Sequence, residues 1–190
     1  MCCIGYVNEI ASAVLHDDEL AAEASAMQHT IRTALDRYAL VTHEKFGTVY
    51  AYEVDGFGQY YIMDDANVPS LLSIPFLEYA PIDDERYQNT RRMILSDMNP
   101  YFYKGSAAHG IGSPHTPVNH VWPVSLAMQG LTSADKNEKR RILELLTHTD
   151  AGTGITERSG DMWDNLLTAV RRSCALVVTL VLSPRIWWRR

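Results

Sequence analysis

Cysteine is scarce in this chain: Cys2, Cys3 and Cys174 are the only three in 190 residues. Adjacent Cys2 and Cys3 are poorly placed to pair with each other. The count points to a reducing compartment, or to a fold that does not depend on disulfides. No CxxC or HExxH spacing exists, and His109, His115 and His120 match no zinc signature. Neither a metal nor a cofactor is therefore expected. No GxSxG is present and no cysteine stands in a polar loop, which excludes the common serine and cysteine nucleophile motifs. The glycine-rich "HGIGSP" follows no clear strand, and Pro114 prevents a helix from opening there, so it does not read as a dinucleotide-binding turn.

Positive charge is also in short supply. The net charge of −6 gives no footprint for nucleic acid. The apolar run "CALVVTLVL" ends at Leu182, well short of the roughly 20 residues needed to span a bilayer. The opening "MCCIGYVNEI" lacks a basic region followed by an apolar core and a cleavage site, so no secretory leader is expected and no compartment is assigned. No internal repeat and no low-complexity segment is visible.

What is present is the composition of one soluble globular domain, 46% hydrophobic and 21% charged. Its charge is unevenly placed. Residues 158–190 hold six arginines against Asp161 and Asp164, a net of +4, which leaves −10 on the first 157 residues. Trp163, Trp187 and Trp188 fall in the same tail. The expected division is a domain over 1–157 and a divergent basic tail over 158–190.

Periodicity is mainly helical. Ile4, Val7, Ile10, Ala11 and Val14 share a face. Asp17 reads as the cap of a second helix with the stripe Leu20, Met27, Ile31, Leu35 and Tyr38. "GTVYAYEVDGFG" alternates as a short β-hairpin arm. "NVPSLLSIPFLEY" reads as a short helix broken by prolines. "DERYQNTRRMILSD" predicts a helix whose Tyr87, Arg91, Ile94 and Leu95 share a face. Residues 99–123 read as a long loop, and long ordered loops tend to carry function. "VSLAMQGL" predicts a buried helix. Ser133 reads as the cap of a last helix that turns Ile142, Leu145 and Leu146 inward.

Carboxylates, amides, arginines and aromatics recur together in "YYIMDDANVP", "RYQNTRR", "NPYFYKG" and "GIGSPHTPVNHVWP". A sugar presents hydroxyl edges and apolar CH faces, so a saccharide site needs polar side chains beside aromatic platforms. The same residues also serve as helix caps and core tyrosines. Asp64 and Asp65 pose the question most sharply. They suit the general acid or base of a glycoside hydrolase, or a sugar ligand beside a helix cap. Neighbours in sequence are usually too close for an inverting pair, whose carboxyls stand roughly 6.5–9.5 Å apart with water between them.

"AYEVDGFGQYYIMDDANVPSLLSIPFLEY", "YQNTRRMILSDMNPYFYKG", "GIGSPHTPVNHVWPVSLAMQGLTS" and "DAGTG" closely resemble glycoside hydrolase family 125. Its members are exo-acting α-1,6-mannosidases, and fungal ones carry the name meiotically up-regulated proteins. The resemblance runs from about residue 5 to residue 154. It implies an all-α fold, an incomplete (α/α)6 barrel or helical toroid with a short β-hairpin. It also implies metal-free inversion at a terminal α-mannoside, with no cofactor. Asp64, Asp65, Asn67, Arg91 and His115 fall where the resemblance places substrate-binding residues. Asp64 and Asp65 are expected to hold mannose hydroxyls rather than to transfer the proton.

Two departures shape the expected function. The family's general acid lies on an "RPSDD"-like segment upstream of "MDDANVP", which has no counterpart in this chain. After "DAGTG" the family continues x-M-H-E, whereas residues 155–159 are "ITERS". The general-base glutamate therefore aligns with Arg158, whose guanidinium cannot accept a proton from water at neutral pH. A one-residue slip would let Glu157 serve, and it is the catalytic candidate. The expectation is a truncated mannosidase relative covering the C-terminal half of the family domain, with an α-mannoside as partner and impaired turnover. A non-catalytic mannoside-binding fragment, or a splice or gene-model product, stays open as an alternative. Half a toroid would also leave an apolar stripe wet, at about 1.5–3 kcal/mol per large side chain, and such a chain is expected to aggregate. Neither nucleic acid nor membrane is an expected partner, and the oligomeric state is left open.

Overall fold

The computed structural model describes residues 2–105 and 108–148. The expectations placed on Glu157, on Arg158 and on the 158–190 tail lie outside the described residues.

The chain opens on α1 (Cys2–Ile10), which runs into a single π-helical segment at Ala11–Leu15, closed by His16 in the left-handed region. Next comes α2 (Asp18–Tyr38), capped by Asp17, whose carboxylate accepts from the Leu20 N–H at 3.0 Å. Asp18 and Glu19 add negative charge to the positive end of this helix. The two helices pack against each other as a hairpin. They approach closely at Gly5, where an added Cβ would lie 2.6 Å from the Gln28 side chain.

The apolar stripe of α2 is less covered than its periodicity predicts. Leu20, Ile31 and Leu35 are half-buried, Met27 and Tyr38 are exposed, and Ala24 is the only fully buried residue of the helix. Tyr6, Val7, Ile10, Val14 and Leu15 are exposed on α1 and the π-helical segment. Small Ala11 and Ala24 are the buried residues of these two segments, and the rest of the stripe is wider than the partner surface among the described residues.

Three short antiparallel strand pairs follow, where the sequence suggested one hairpin. β1 (Leu40–His43) pairs with β2 (Gly47–Tyr50), Leu40 opposite Tyr50. β3 (Glu53–Val54) pairs with β4 (Tyr60–Tyr61). β5 (Phe102–Lys104) pairs with β6 (His109–Ile111), inside the stretch that read as pure loop. Three-residue strands are too short to show an alternating pattern against proline- and glycine-rich flanks. Residues 70–79 form successive turns rather than the expected helix, since Pro69 and Pro75 have no N–H to give.

α3 (Glu85–Ile94), capped by the Asp84 carboxylate on Tyr87 N–H, is the centre of the core. Tyr87, Met93 and Ile94 pack with Val49, Leu72, Ile74, Ile111 and Met128. Its polar side chains satisfy β2: Thr90 Oγ1 accepts from Tyr50 N–H at 2.8 Å, and Asn89 Nδ2 donates to Thr48 O at 3.1 Å. The buried α4 (Pro123–Leu131) and α5 (Lys136–His148) complete the described chain. Ser133 does not cap α5; the Asp135 carboxylate does so, accepting from Asn137 N–H, while the Ser133 hydroxyl bonds Glu138. The molecule is thus mostly helical with three small strand pairs, and no described helix is long and apolar enough to cross a membrane.

Candidate functional site

β4 delivers the chain to Met63, Asp64, Asp65 and Ala66, all buried. Two adjacent carboxylates inside a protein demand partners, because an unpaired buried charge is costly. Their partners differ.

Asp64 is fully buried and faces backbone. Its Oδ1 accepts from Leu71 N–H at 2.9 Å and its Oδ2 from Leu72 N–H at 3.0 Å. The carboxylate thereby supplies the acceptors that the first turn after Pro69 lacks. Burial pushes its pKa up to about 7, against the pull of the backbone bonds, and the neighbouring Asp65 charge adds to the rise. The folded state therefore holds this proton more tightly than the unfolded chain does. The resulting stability is complete below about pH 4 and is lost as pH rises through about 7. Urea unfolding of this chain and of Asp64→Asn at about pH 4.5 and about pH 7.5 checks the sign. The chain's stability relative to the variant should fall at the higher pH; a difference that grows or stays constant contradicts it.

Asp65 faces side chains. One oxygen accepts from the Asn67 N–H at 2.7 Å and from Asn67 Nδ2 at 2.6 Å; the other lies 3.4 Å from the Ser113 hydroxyl. Ser113 Oγ in turn accepts from the His115 N–H. Thr116 donates to Ser113 O and accepts from Trp122 Nε1, so the loop after β6 is tied back on itself. A backbone ladder sets its distance from Asp65: Ala66 N–H donates to Gly112 O at 2.9 Å, and Gly112 N–H donates to Tyr101 O at 2.8 Å.

Two tyrosines, Tyr52 and Tyr101, feel the charge of this carboxylate. The Tyr52 hydroxyl is pushed above its ordinary range by burial first, then by the charges of Asp65 and Asp64. Tyr101 is raised by burial, by its contact with Tyr61, by Tyr103 and by Asp65. A carboxylate with fixed oxygens, within electrostatic reach of two tyrosines, is chemically suited to a polyol with apolar faces.

Of the expected site residues, Asp64, Asp65 and Asn67 come together, and His115 joins them through Ser113. Asn67 and His115 are exposed, at the rim. Arg91 is engaged elsewhere. It pairs with Glu138 at 2.9 Å and donates to Gln129 O, tying α3 to α4 and α5. Burial alone would raise the Glu138 carboxyl, but bonds from Ser133 and Gln129 and the Arg91 charge hold it below its usual value. Among the described residues no three His, Cys, Asp or Glu side chains gather as a metal site. A cleft of about 870 Å³ between the β5–β6 hairpin and α5 does not include Asp65; Leu95, Phe102, Ile142 and Leu145 give it a packing character. Ser113, Gly112 and Asn99 were not singled out by sequence reasoning. Their only signal is their place in the polar loops "NPYFYKG" and "GIGSPHTP".

The family model for metal-independent α-mannosidases, GH125, matches residues 1–170. The meiotically up-regulated gene 157 protein of Schizosaccharomyces pombe is 46% identical over 160 residues, covering 84% of this chain and 31% of that protein. A solved metal-independent α-mannosidase from Streptococcus pneumoniae, in a non-productive complex with α-1,6-mannobiose, is 43% identical with a TM-score of 0.80. That match covers 94% of this chain and 44% of the solved one. The chain thus spans less than half the length of either relative.

Proposed function

The chain belongs to glycoside hydrolase family 125, and from that premise we propose that its described residues form the mannoside-binding part of an exo-α-1,6-mannosidase fold, an incomplete (α/α)6 toroid. The observation that carries this reading is Asp65: a buried carboxylate, oriented by Asn67 and Ser113, whose charge reaches Tyr52 and Tyr101. Asp65 and Asn67 take sugar hydroxyls, His115 stands at the rim, and Asp64 holds the floor. Arg91 supports the site indirectly by locking α3 against α5. The α-1,6-mannobiose bound by the Streptococcus pneumoniae relative supports the choice of ligand.

Hydrolysis by inversion requires two opposed carboxyl groups, a general acid and a general base, beyond the Asp65 that holds the sugar. Glu157 is the residue proposed for the base, one place before Arg158, with which the family glutamate aligns. The boundary between residues 157 and 158 remains a proposal from the charge break, and the family match itself runs to residue 170. Binding without ordinary turnover is the activity proposed for this chain. Calorimetric titration with α-1,6-mannobiose and with the corresponding α-1,6-linked glucose disaccharide tests it, alongside an assay of released mannose. Selective mannobiose binding is expected. Equal binding of both sugars, or of neither, overturns the reading, and rapid mannose release makes the chain a competent hydrolase instead.

A further inference from the structure

We propose that Asn99 is a positioning residue of this site, fixing the peptide from which the Asp65 side chain projects; the inference rests on the mannoside reading above. Asn99 lies five residues beyond the end of α3 and is 2% exposed. Its Nδ2 donates to Asp64 O at 3.0 Å and to Ile94 O at 3.1 Å. Its Oδ1 accepts from Asp64 N–H at 3.3 Å and from Tyr101 N–H at 3.2 Å. Both donors and both lone pairs of the amide are therefore occupied.

Closing the end of a helix explains only the bond to Ile94 O. The two bonds to Asp64 need a different account. They capture the N–H and the C=O of one residue, and that C=O belongs to the peptide joining Asp64 to Asp65. Fixing that peptide plane fixes the direction in which Asp65 leaves the chain. The Asp64 side chain meanwhile is held by Leu71 and Leu72, so the residue before Asp65 is pinned at backbone and side chain alike. The fourth bond sets the start of the segment carrying Tyr101, whose hydroxyl feels the Asp65 charge, and Tyr103, whose ring lies over Gly112. One amide thus references the carboxylate and its aromatic neighbours to the end of α3. No other standard side chain of this length offers two donors and two acceptors: aspartate lacks the donors, and glutamine is longer by a methylene.

The test uses the full chain. In Asn99→Asp the oxygen that accepts from Asp64 and Tyr101 is retained, but an acceptor faces the carbonyls of Asp64 and Ile94. At a temperature where the far-ultraviolet spectrum shows the variant folded, its affinity for α-1,6-mannobiose should fall by about tenfold or more. Side-chain amide resonances supply a second measurement on the unaltered chain, independent of whether the variant folds. The Asn99 Nδ2 protons should exchange slowly and shift on adding mannobiose. A folded Asn99→Asp that binds as the unaltered chain does overturns the positioning role. So does an Asn99 amide that exchanges at the rate of exposed asparagines or is unmoved by the sugar. Absence of mannobiose binding by the unaltered chain overturns the mannoside reading and this inference with it.

Discussion

Gly112→Ala is expected to lower the thermal midpoint of the chain by about 10 °C, the shift that about 3 kcal/mol gives in a chain of this size. Gly112 follows β6 and is buried. A Cβ added there would press on the His120 carbonyl oxygen and lie 2.5 Å from Tyr103 Cε2. A tyrosine ring can swing away, but a backbone carbonyl cannot move without its loop. That loop is tied down: His120 N–H donates to Pro117 O, and Trp122 N–H donates to Ile111 O. Gly112 itself has no freedom to retreat, since its N–H and C=O are both used in the ladder from Tyr101 to Ala66. The strain therefore falls on the bonds that place Ser113 beside Asp65. Differential scanning calorimetry checks the value. A midpoint within about 2 °C of the unaltered chain would show that the loop yields easily and that the ladder does not hold the site.

Asp65→Ala is expected to weaken α-1,6-mannobiose binding by about a hundredfold, while costing the fold only about 1–2 kcal/mol. The two effects separate because of what each partner can do afterwards. Asn67 is exposed and can turn its amide to water. Ser113 Oγ keeps the His115 N–H that it already accepts, and only its hydroxyl proton, in a long bond of 3.4 Å to Asp65, loses an acceptor. Little of the fold rests on Asp65. A bound sugar, by contrast, would lose two charge-assisted hydrogen bonds, each about 1.5–3 kcal/mol. Titration calorimetry at matched folded fraction measures the loss. A change below about threefold would remove Asp65 from the binding role. Asp64, one residue earlier, is the reverse case: its oxygens are consumed by Leu71 and Leu72, and its influence is on stability.

This contrast shows how far the sequence could be read. The helices were legible because their signals are local and redundant: Asp17 before α2, Asp84 before α3, and buried Tyr87 and Ile94 at the expected spacing. Family membership was legible because long motifs lie unbroken along the chain. The pair Asp64–Asp65 was legible as important, but not which carboxylate faces backbone. That depends on a turn seven residues on and on an asparagine thirty-five residues away, and neither relation has a periodic signature. The β5–β6 hairpin was hidden for a similar reason, its ladder being made by residues with no strand-like alternation. Arg91 was placed in the site by motif alone. Its ion pair with Glu138 crosses from α3 to α5, a contact 47 residues apart that no local pattern announces.

The central claim is that a mannoside lies against the Asp65 carboxylate, on the platform set by Asn99 and the Gly112 ladder. A crystal structure of this chain soaked with α-1,6-mannobiose tests it most directly. The account predicts sugar hydroxyls within hydrogen-bond distance of the Asp65 oxygens, with a tyrosine of the Tyr52, Tyr61, Tyr101 group against a ring face. Ordered mannobiose seated elsewhere, with Asp65 bonded only to Asn67 and Ser113, would contradict it.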